Sequence, residues 1–447
     1  MADSLPPPPS SSSTSSSKLV YFVVVPLILL SGLVIILNQK PSTNYTLQYL
    51  HVPVNPRSGA RAPSASDKNL QPMPEEEQFP VLENEETTKN ARLSKTYSKL
   101  EKIEASLAQA RAAIQESKRN NVTSNDLHDY IPQGPQYRNS NAFHRSYMEM
   151  EKLFKIYIYE DGEPPLFHYS KSKGILGIEG ILIHQIEISK FLTKDPEKAN
   201  IFFIPLSVQS IVDYAYEIHN RAWDPLQDIA RDYVRLISTK VFCNANISEG
   251  FKPSIDVSLP EIYLPEGTMD GLSGGLPSFN RTIFAFYAGG VHGYIRQLLM
   301  DQWKDKDPEM QIYEYLPRDM SYYDMFRKSK FCICPSGYEV ASPRMVESLY
   351  LGCVPVLLKD YYARPFDDVL DWSTFSVVVH ANEIPDLKNI LLGISQEKYT
   401  EMQRIGTEVR RHFEVNFPPK RYDVFHMILH SIWLRRMNIQ LHDVHGS

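Results

Sequence analysis

The sequence predicts an α/β protein made of two doubly wound domains in series, carried behind an N-terminal membrane anchor and a helical stem. Three observations lead there. From about Glu149 onward, short apolar runs alternate with amphipathic stretches, the pattern left by strands and helices of a parallel sheet. Ahead of them, Leu19 to Leu37 is a stretch of uncharged residues just long enough to span a bilayer. Between the two lies a Pro-, Ser- and Asn-containing linker followed by a heptad repeat. Composition fits this plan: of 447 residues 43% are hydrophobic and 22% charged, enough apolar material for buried cores. At roughly 100 to 200 residues per domain, two folded domains with a stem fit that length. A net charge of −6 without a basic stripe argues against a nucleic-acid partner, which needs cations to neutralise phosphates.

Taken in order, residues 1–18 form a Pro- and Ser-rich tail read as cytosolic, and 19–37 the span. Asn38, Gln39, Lys40 and Pro41 follow it in place of the small residues of a cleavage site, so it reads as an uncleaved signal anchor. Lys18 and Lys40 flank it on both sides and leave orientation open. The glycosylation triplets beginning at Asn44, Asn121, Asn246 and Asn280 all lie downstream, as expected for a lumenal chain. A short span suits the thin membranes of the early secretory pathway and Golgi. Residues 38–148 then form the stem. In it Leu93, Leu100, Leu107 and Ile114 recur every seven residues, with Ile103 and Ala110 between, which predicts a helix over about 90–118. Two readings of that helix stay open: a short coiled coil pairing with a second copy or another chain, or a solvated spacer.

The first α/β domain, 149–270, offers a strand over 154–159, a helix over 179–192, a strand over 201–205 and a helix over 225–238. The second, 271–440, offers strands over 282–287, 311–316, 331–334, 354–358 and 375–379. In such sheets ligands sit beyond the carboxyl ends of the strands. Two places there carry chemistry. Ala288-Gly289-Gly290 ends a strand ahead of a helix holding Arg296, where backbone can approach an anion. Further on, residues 331–347 pass from a strand through a Gly-containing loop into a helix starting near Pro343, with Ser342 as its expected N-cap. Arg344 and Glu347 share one face of that helix. An Arg can clamp a diphosphate bidentately and a carboxylate can accept from ribose hydroxyls, whereas the bland reading is a surface ion pair. Asp305-Lys306-Asp307 has the spacing of a cation-binding Asp-x-Asp motif, but its setting in a charged loop favours a solvated charge run. The four cysteines, Cys243, Cys332, Cys334 and Cys353, can pair in an oxidising compartment, with connectivity open.

The run 329–347 (SKFCICPSGYEVASPRMVE), then 352–356 (GCVPV) and 365–372 (PFDDVLDW), resembles the exostosin-type glycosyltransferases of plants, and 193–205 (TKDPEKANIFFIP) resembles the first half of the same family. The resemblance runs from about Phe154 to Leu434. It implies a GT-B-like pair of Rossmann-type domains, an inverting transfer with no obligatory cofactor or metal, and a nucleotide-sugar donor, with UDP the expected carrier. The implied setting is a single-pass type II Golgi membrane protein acting on pectin, hemicellulose or a related glycan, including glycoprotein glycans. It also implies that Arg344 and Glu347 hold the diphosphate and ribose, with Gly289, Gly290, Arg296, Ser336 and Gly337 shaping the donor pocket. One departure stands out. After 228–240 (DIARDYVRLISTK) the family continues with a unit of loop, strand and helix that this chain lacks, Lys240 joining Val241 directly. The catalytic base is not identified, Glu160 and Asp161 after the first strand being weak candidates, since a Glu-Asp-Gly turn more often only turns the chain. A catalytically inert lumenal partner of an active transferase is the alternative reading.

Overall fold

A computed structural model describes residues 98–119 and 130–441, apart from 161, 165, 176, 208 and 211–238. The expected span 19–37, the linker, Asn44, Asn121, Asp161 and the helix expected over 225–238 lie outside the described residues. Among the described residues no helix is long and apolar enough to cross a membrane.

The chain is a mixed α/β protein whose named strands pair in parallel. Helix α1, Lys99–Arg119, carries the heptad seam. Leu107 and Ala110 are buried in the main core, and Ile103 and Ile114 pack against it. Its neighbours are α2, Ser140–Leu153, and the C-terminal helix, whose last carbonyl at Met437 accepts from Arg111 Nε at 2.8 Å, beside an ion pair of Arg436 with Glu104. This corrects the expectation of a free spacer or pairing coil, because the seam is consumed within the chain.

Strand β1, Ile156–Ile158, starts later than expected because Phe154 still caps α2 through its N–H to Met150 O. It pairs with β2, Ile201–Phe203, and helix α3, Gly177–Ile188, connects them. Strands β3, Val241–Phe242, and β4, Val257–Ser258, form a second parallel pair. The first half is therefore two separate two-stranded pieces among the described residues, where one sheet was expected.

The second half holds a complete sheet. Its strands are β5, Ile283–Ala288; β6, Met310–Tyr313; β7, Ser329–Pro335; β8, Val354–Leu358; and β9, Val377–Val379. The last begins late because Asp371 accepts from Ser373 N and sets a 3-10 turn over Trp372–Thr374. Helices α4, Tyr294–Trp303; α5, Tyr322–Lys328; and α6, Arg344–Tyr350, make the crossovers. Helices α7, Leu387–Leu392, and α8, Gln396–Val409, follow β9. Every residue of β8 is buried, as a central strand covered on both faces must be. A Cys332–Cys353 disulfide ties β7 to the turn before β8, leaving Cys243 and Cys334 free. Helix α9, Val424–Met437, returns to the first half, where Arg435 Nε donates to Asp256 O at 3.0 Å and Arg436 Nε to Asn200 O at 3.1 Å. The end of the chain thus holds the two halves together.

Candidate functional site

The strand order in the large sheet is β6-β5-β7-β8-β9. The chain runs from β5 to β6 on one side and then crosses back past β5 to β7 on the other, so the order reverses between β5 and β7. A crevice opens at the carboxyl ends of the strands at such a reversal. The residues ending those two strands are Ala288-Gly289-Gly290 and Pro335-Ser336-Gly337. Chain topology therefore brings the two candidate loops side by side.

Arg344 fills the floor of this crevice. Its Nη2 donates to Ala288 O at 2.9 Å and Nε to the same oxygen at 3.3 Å, while the guanidinium lies over the Tyr287 ring at 5.2 Å. Gly289 makes this possible: a Cβ there would stand 2.3 Å from Arg344 Nη2. The glycine serves the arginine, and an anion would be met by the guanidinium instead of by bare backbone. The helix N-terminus expected beside the glycine pair starts only at Tyr294, after Gly293 at φ +85°. Arg296, in the first turn of α4, reaches back to Gly290 O at 3.3 Å, and among the described residues its Nε is buried without a hydrogen-bond partner. Gly289→Ala is expected to push the guanidinium out of place and lower nucleotide affinity by roughly tenfold, the loss of one charge-assisted contact. Calorimetric titration with UDP checks this, and unchanged affinity would mean that Arg344 does not depend on the gap.

Glu347 is buried and accepts from Tyr322 Oη at 2.9 Å. Burial pushes its carboxyl up, against the opposing pull of Arg344 and the Tyr322 hydrogen bond. The expectation of an exposed Arg-Glu face is thus corrected: Glu347 is sunk into the core side of α6, and no Arg344–Glu347 ion pair forms among the described residues. Nor does Ser342 cap α6. Its hydroxyl is buried without a partner, and Pro343 occupies the cap position. Ser336 turns its hydroxyl to Leu358 O at 3.2 Å and so braces β7 on β8 without facing the crevice.

Three groups that the sequence reading missed join the site. Lys359, directly after β8, is 5% exposed, donates to Val340 O and lies over the Tyr362 ring at 4.9 Å. Burial lowers its pKa to about 7, with Arg296 and Arg344 adding to the fall and Cys334 and Glu261 opposing it. Glu261, shortly after β4, is 6% exposed and makes no hydrogen bond or ion pair among the described residues. Its carboxyl is pushed up by burial and by Glu339, against Lys359, Arg296 and Arg344. Glu339, in the loop between β7 and α6, is raised by burial and by Glu249. Lys359, just after β8, and Glu261, after β4, lie within electrostatic reach of each other and of Arg296 in α4 and Arg344 in α6, with Glu339 of the β7–α6 loop acting on Glu261. The signal that could have flagged Lys359 was its place at the end of a wholly apolar strand; for Glu261, which lies outside the sheet that builds the crevice, the sequence held none.

The remaining candidates separate from this site. Glu160 is exposed beyond β1. Asp307 is held by Lys388 Nζ at 2.5 Å and accepts from Glu309 N, and the paired Asp305 sits at φ +58° in the turn, so the Asp-x-Asp run has a structural role. Asn246 is buried and its amide oxygen accepts from Ser248 N and Oγ, a cap and not an accessible sequon; Asn280 is exposed.

The chain is similar to several known proteins. Residues 234–394 match the model of the exostosin GT47 domain. A probable glycosyltransferase of Arabidopsis thaliana is 48% identical over 78% of this chain and 74% of its own length. A probable glucuronosyltransferase of Physcomitrium patens is 32% identical over 35% of this chain and 37% of its own. A probable beta-1,4-xylosyltransferase of Arabidopsis thaliana is 29% identical over 35% of this chain and 40% of its own.

Proposed function

Because the chain belongs to the exostosin GT47 family of glycosyltransferases, we propose that it moves a sugar from a nucleoside-diphosphate donor to a cell-wall polysaccharide, pectin or hemicellulose, or to a glycoprotein glycan. The observation that carries this reading is the convergence of Arg296 and Arg344 on the crevice between the carboxyl ends of β5 and β7. Two guanidiniums there stabilise the charge that develops on a departing diphosphate. The transfer inverts configuration: the acceptor oxygen bonds to the anomeric carbon as the bond to the diphosphate oxygen breaks, and the hydroxyl proton passes to a base. UDP is the carrier and no cofactor takes part. Incubating the purified lumenal region with a panel of nucleotide sugars and wall oligosaccharides tests the reading; donor hydrolysis or transfer with none of them would remove it.

The same reading places the protein in the Golgi membrane as a single-pass type II chain with its catalytic region lumenal. Support comes from the span at 19–37 and from the Cys332–Cys353 disulfide, which suits an oxidising lumen. Glycosidase treatment of protein from secretory membranes is expected to raise its electrophoretic mobility, with Asn280 among the modified sites. No shift, together with protease sensitivity in sealed vesicles, would put the domain in the cytosol.

The missing unit at Lys240/Val241 favours a second reading, a form that binds donor yet turns it over poorly. Support comes from the 48% identical relative, which aligns over 385 positions while using 78% of this chain. Such a form fits an inert lumenal partner of an active transferase.

A further inference from the structure

We propose that Lys359 is a third cationic contact for the donor diphosphate, beside Arg296 and Arg344; the assignment rests on the crevice being the donor site. Lys359 directly follows β8, the strand next to β7, so its position follows from the same topology that opens the crevice. A lysine 5% exposed is rare without a carboxylate partner, and none lies within ion-pair distance among the described residues. Among the described residues its ammonium has one acceptor, Val340 O, and the face of Tyr362, which leaves donors to spare. Among the described residues Arg296 Nε, whose charge acts on Lys359, and Ser342 Oγ, two residues beyond the Val340 carbonyl that Lys359 holds, are also buried without a hydrogen-bond partner. Interiors seldom leave such groups unmatched. All three can donate, and a ligand rich in anionic oxygens would satisfy them together, whereas a neutral sugar could not balance the charges.

The surroundings make this contact proton-linked. Facing Lys359 are Cys334 from β7, Glu261 after β4, Arg296 from α4 and Arg344 from α6, with Glu339 acting on Glu261. With a pKa near 7, the free side chain is charged below about pH 6 and largely neutral at pH 8. A bound diphosphate favours the charged form and raises that pKa. Measured as the difference between the native chain and Lys359→Met, which cancels the ligand's own phosphate titration, the affinity gain should be flat below pH 6, fall as pH rises past 7, and carry proton uptake at pH 8. Ionisation of Glu261 and Glu339 on the same rise adds repulsion of the same sign.

The experiment titrates inorganic pyrophosphate, UDP and uridine into the full chain by calorimetry, at pH 6 and pH 8, each in two buffers of different protonation heat. Native protein is compared with Lys359→Met and Lys359→Arg. Loss of a charge-assisted contact predicts roughly tenfold to hundredfold weaker pyrophosphate and UDP binding for Lys359→Met at pH 6, with uridine unchanged. Lys359→Arg should bind at pH 8 with less proton uptake than the native chain. Unchanged pyrophosphate affinity in Lys359→Met overturns the assignment, as does equal weakening of uridine. Should Lys359→Met not fold, native-like proton uptake by Lys359→Arg overturns it instead. If the native chain binds neither pyrophosphate nor UDP, the donor-site reading falls with it; if it binds both and only the lysine is indifferent, the donor site stands.

Discussion

Arg344→Ala is expected to weaken nucleoside-diphosphate binding by roughly tenfold to a hundredfold, the magnitude of a lost charge-assisted contact. The side chain is placed for this by β5, which ends with Ala288 O held by two of its nitrogens, and by Gly289, which leaves the space it occupies. Removing it also leaves the Ala288 carbonyl without that partner, at about 1 to 3 kcal/mol if the oxygen stays dry. Thermal unfolding therefore accompanies the titration, and Arg344→Lys, which keeps a charge but loses the planar fork, should fall between the native chain and alanine. Glu347→Gln retains a hydrogen bond with Tyr322 and should cost less than Glu347→Ala, which strands that buried hydroxyl. Donor affinity equal to the native value in both alanine variants would take these residues out of the site.

Restoring a family-typical unit of loop, strand and helix between Lys240 and Val241 is expected to raise transferase turnover from little or none to a readily measured rate. The physical ground is the first half, where among the described residues β1–β2 and β3–β4 stand as separate pairs. An added strand between such pairs would join them into one sheet, since two-stranded pieces are marginal alone and gain stability from a third strand. The junction itself is well held: Val257 N donates to Lys240 O at 2.8 Å and Lys240 N to Asp256 Oδ1 at 3.1 Å. Pairing across β3–β4 thus needs no insert. Donor binding should change little on restoration, because the five-stranded sheet is complete. Equal turnover by the chain as it stands and by the restored chain would make the segment dispensable.

Much of the second half was legible because a buried parallel strand is a continuous apolar run. Val354–Leu358 was placed to the residue and Ile283–Ala288 to within one. Boundaries failed where a cap intervened, at Phe154, which still closes α2, and at Asp371, which turns the chain before β9. The heptad at Leu107 and Ala110 was read correctly as a helical seam but given the wrong partner, since periodicity reports that a face is apolar and not what covers it.

By itself the sequence determined the element types, the position of Arg344, Glu347, Gly289 and Arg296 beside strand-to-helix turns, and the family, whose motifs lie on those turns. Only the tertiary structure decided that β5 and β7 are neighbours with the order reversing between them, and hence where the crevice lies. It also decided that Arg344 and Glu347 point inward, that Ser336 braces a strand while Ser342 is left unmatched among the described residues, and that Lys359 and Glu261 are buried beside Arg296 and Arg344. The reason is that local pattern records how one segment alternates between water and core, whereas neighbours across a sheet are chosen by crossovers and packing between segments distant in the chain.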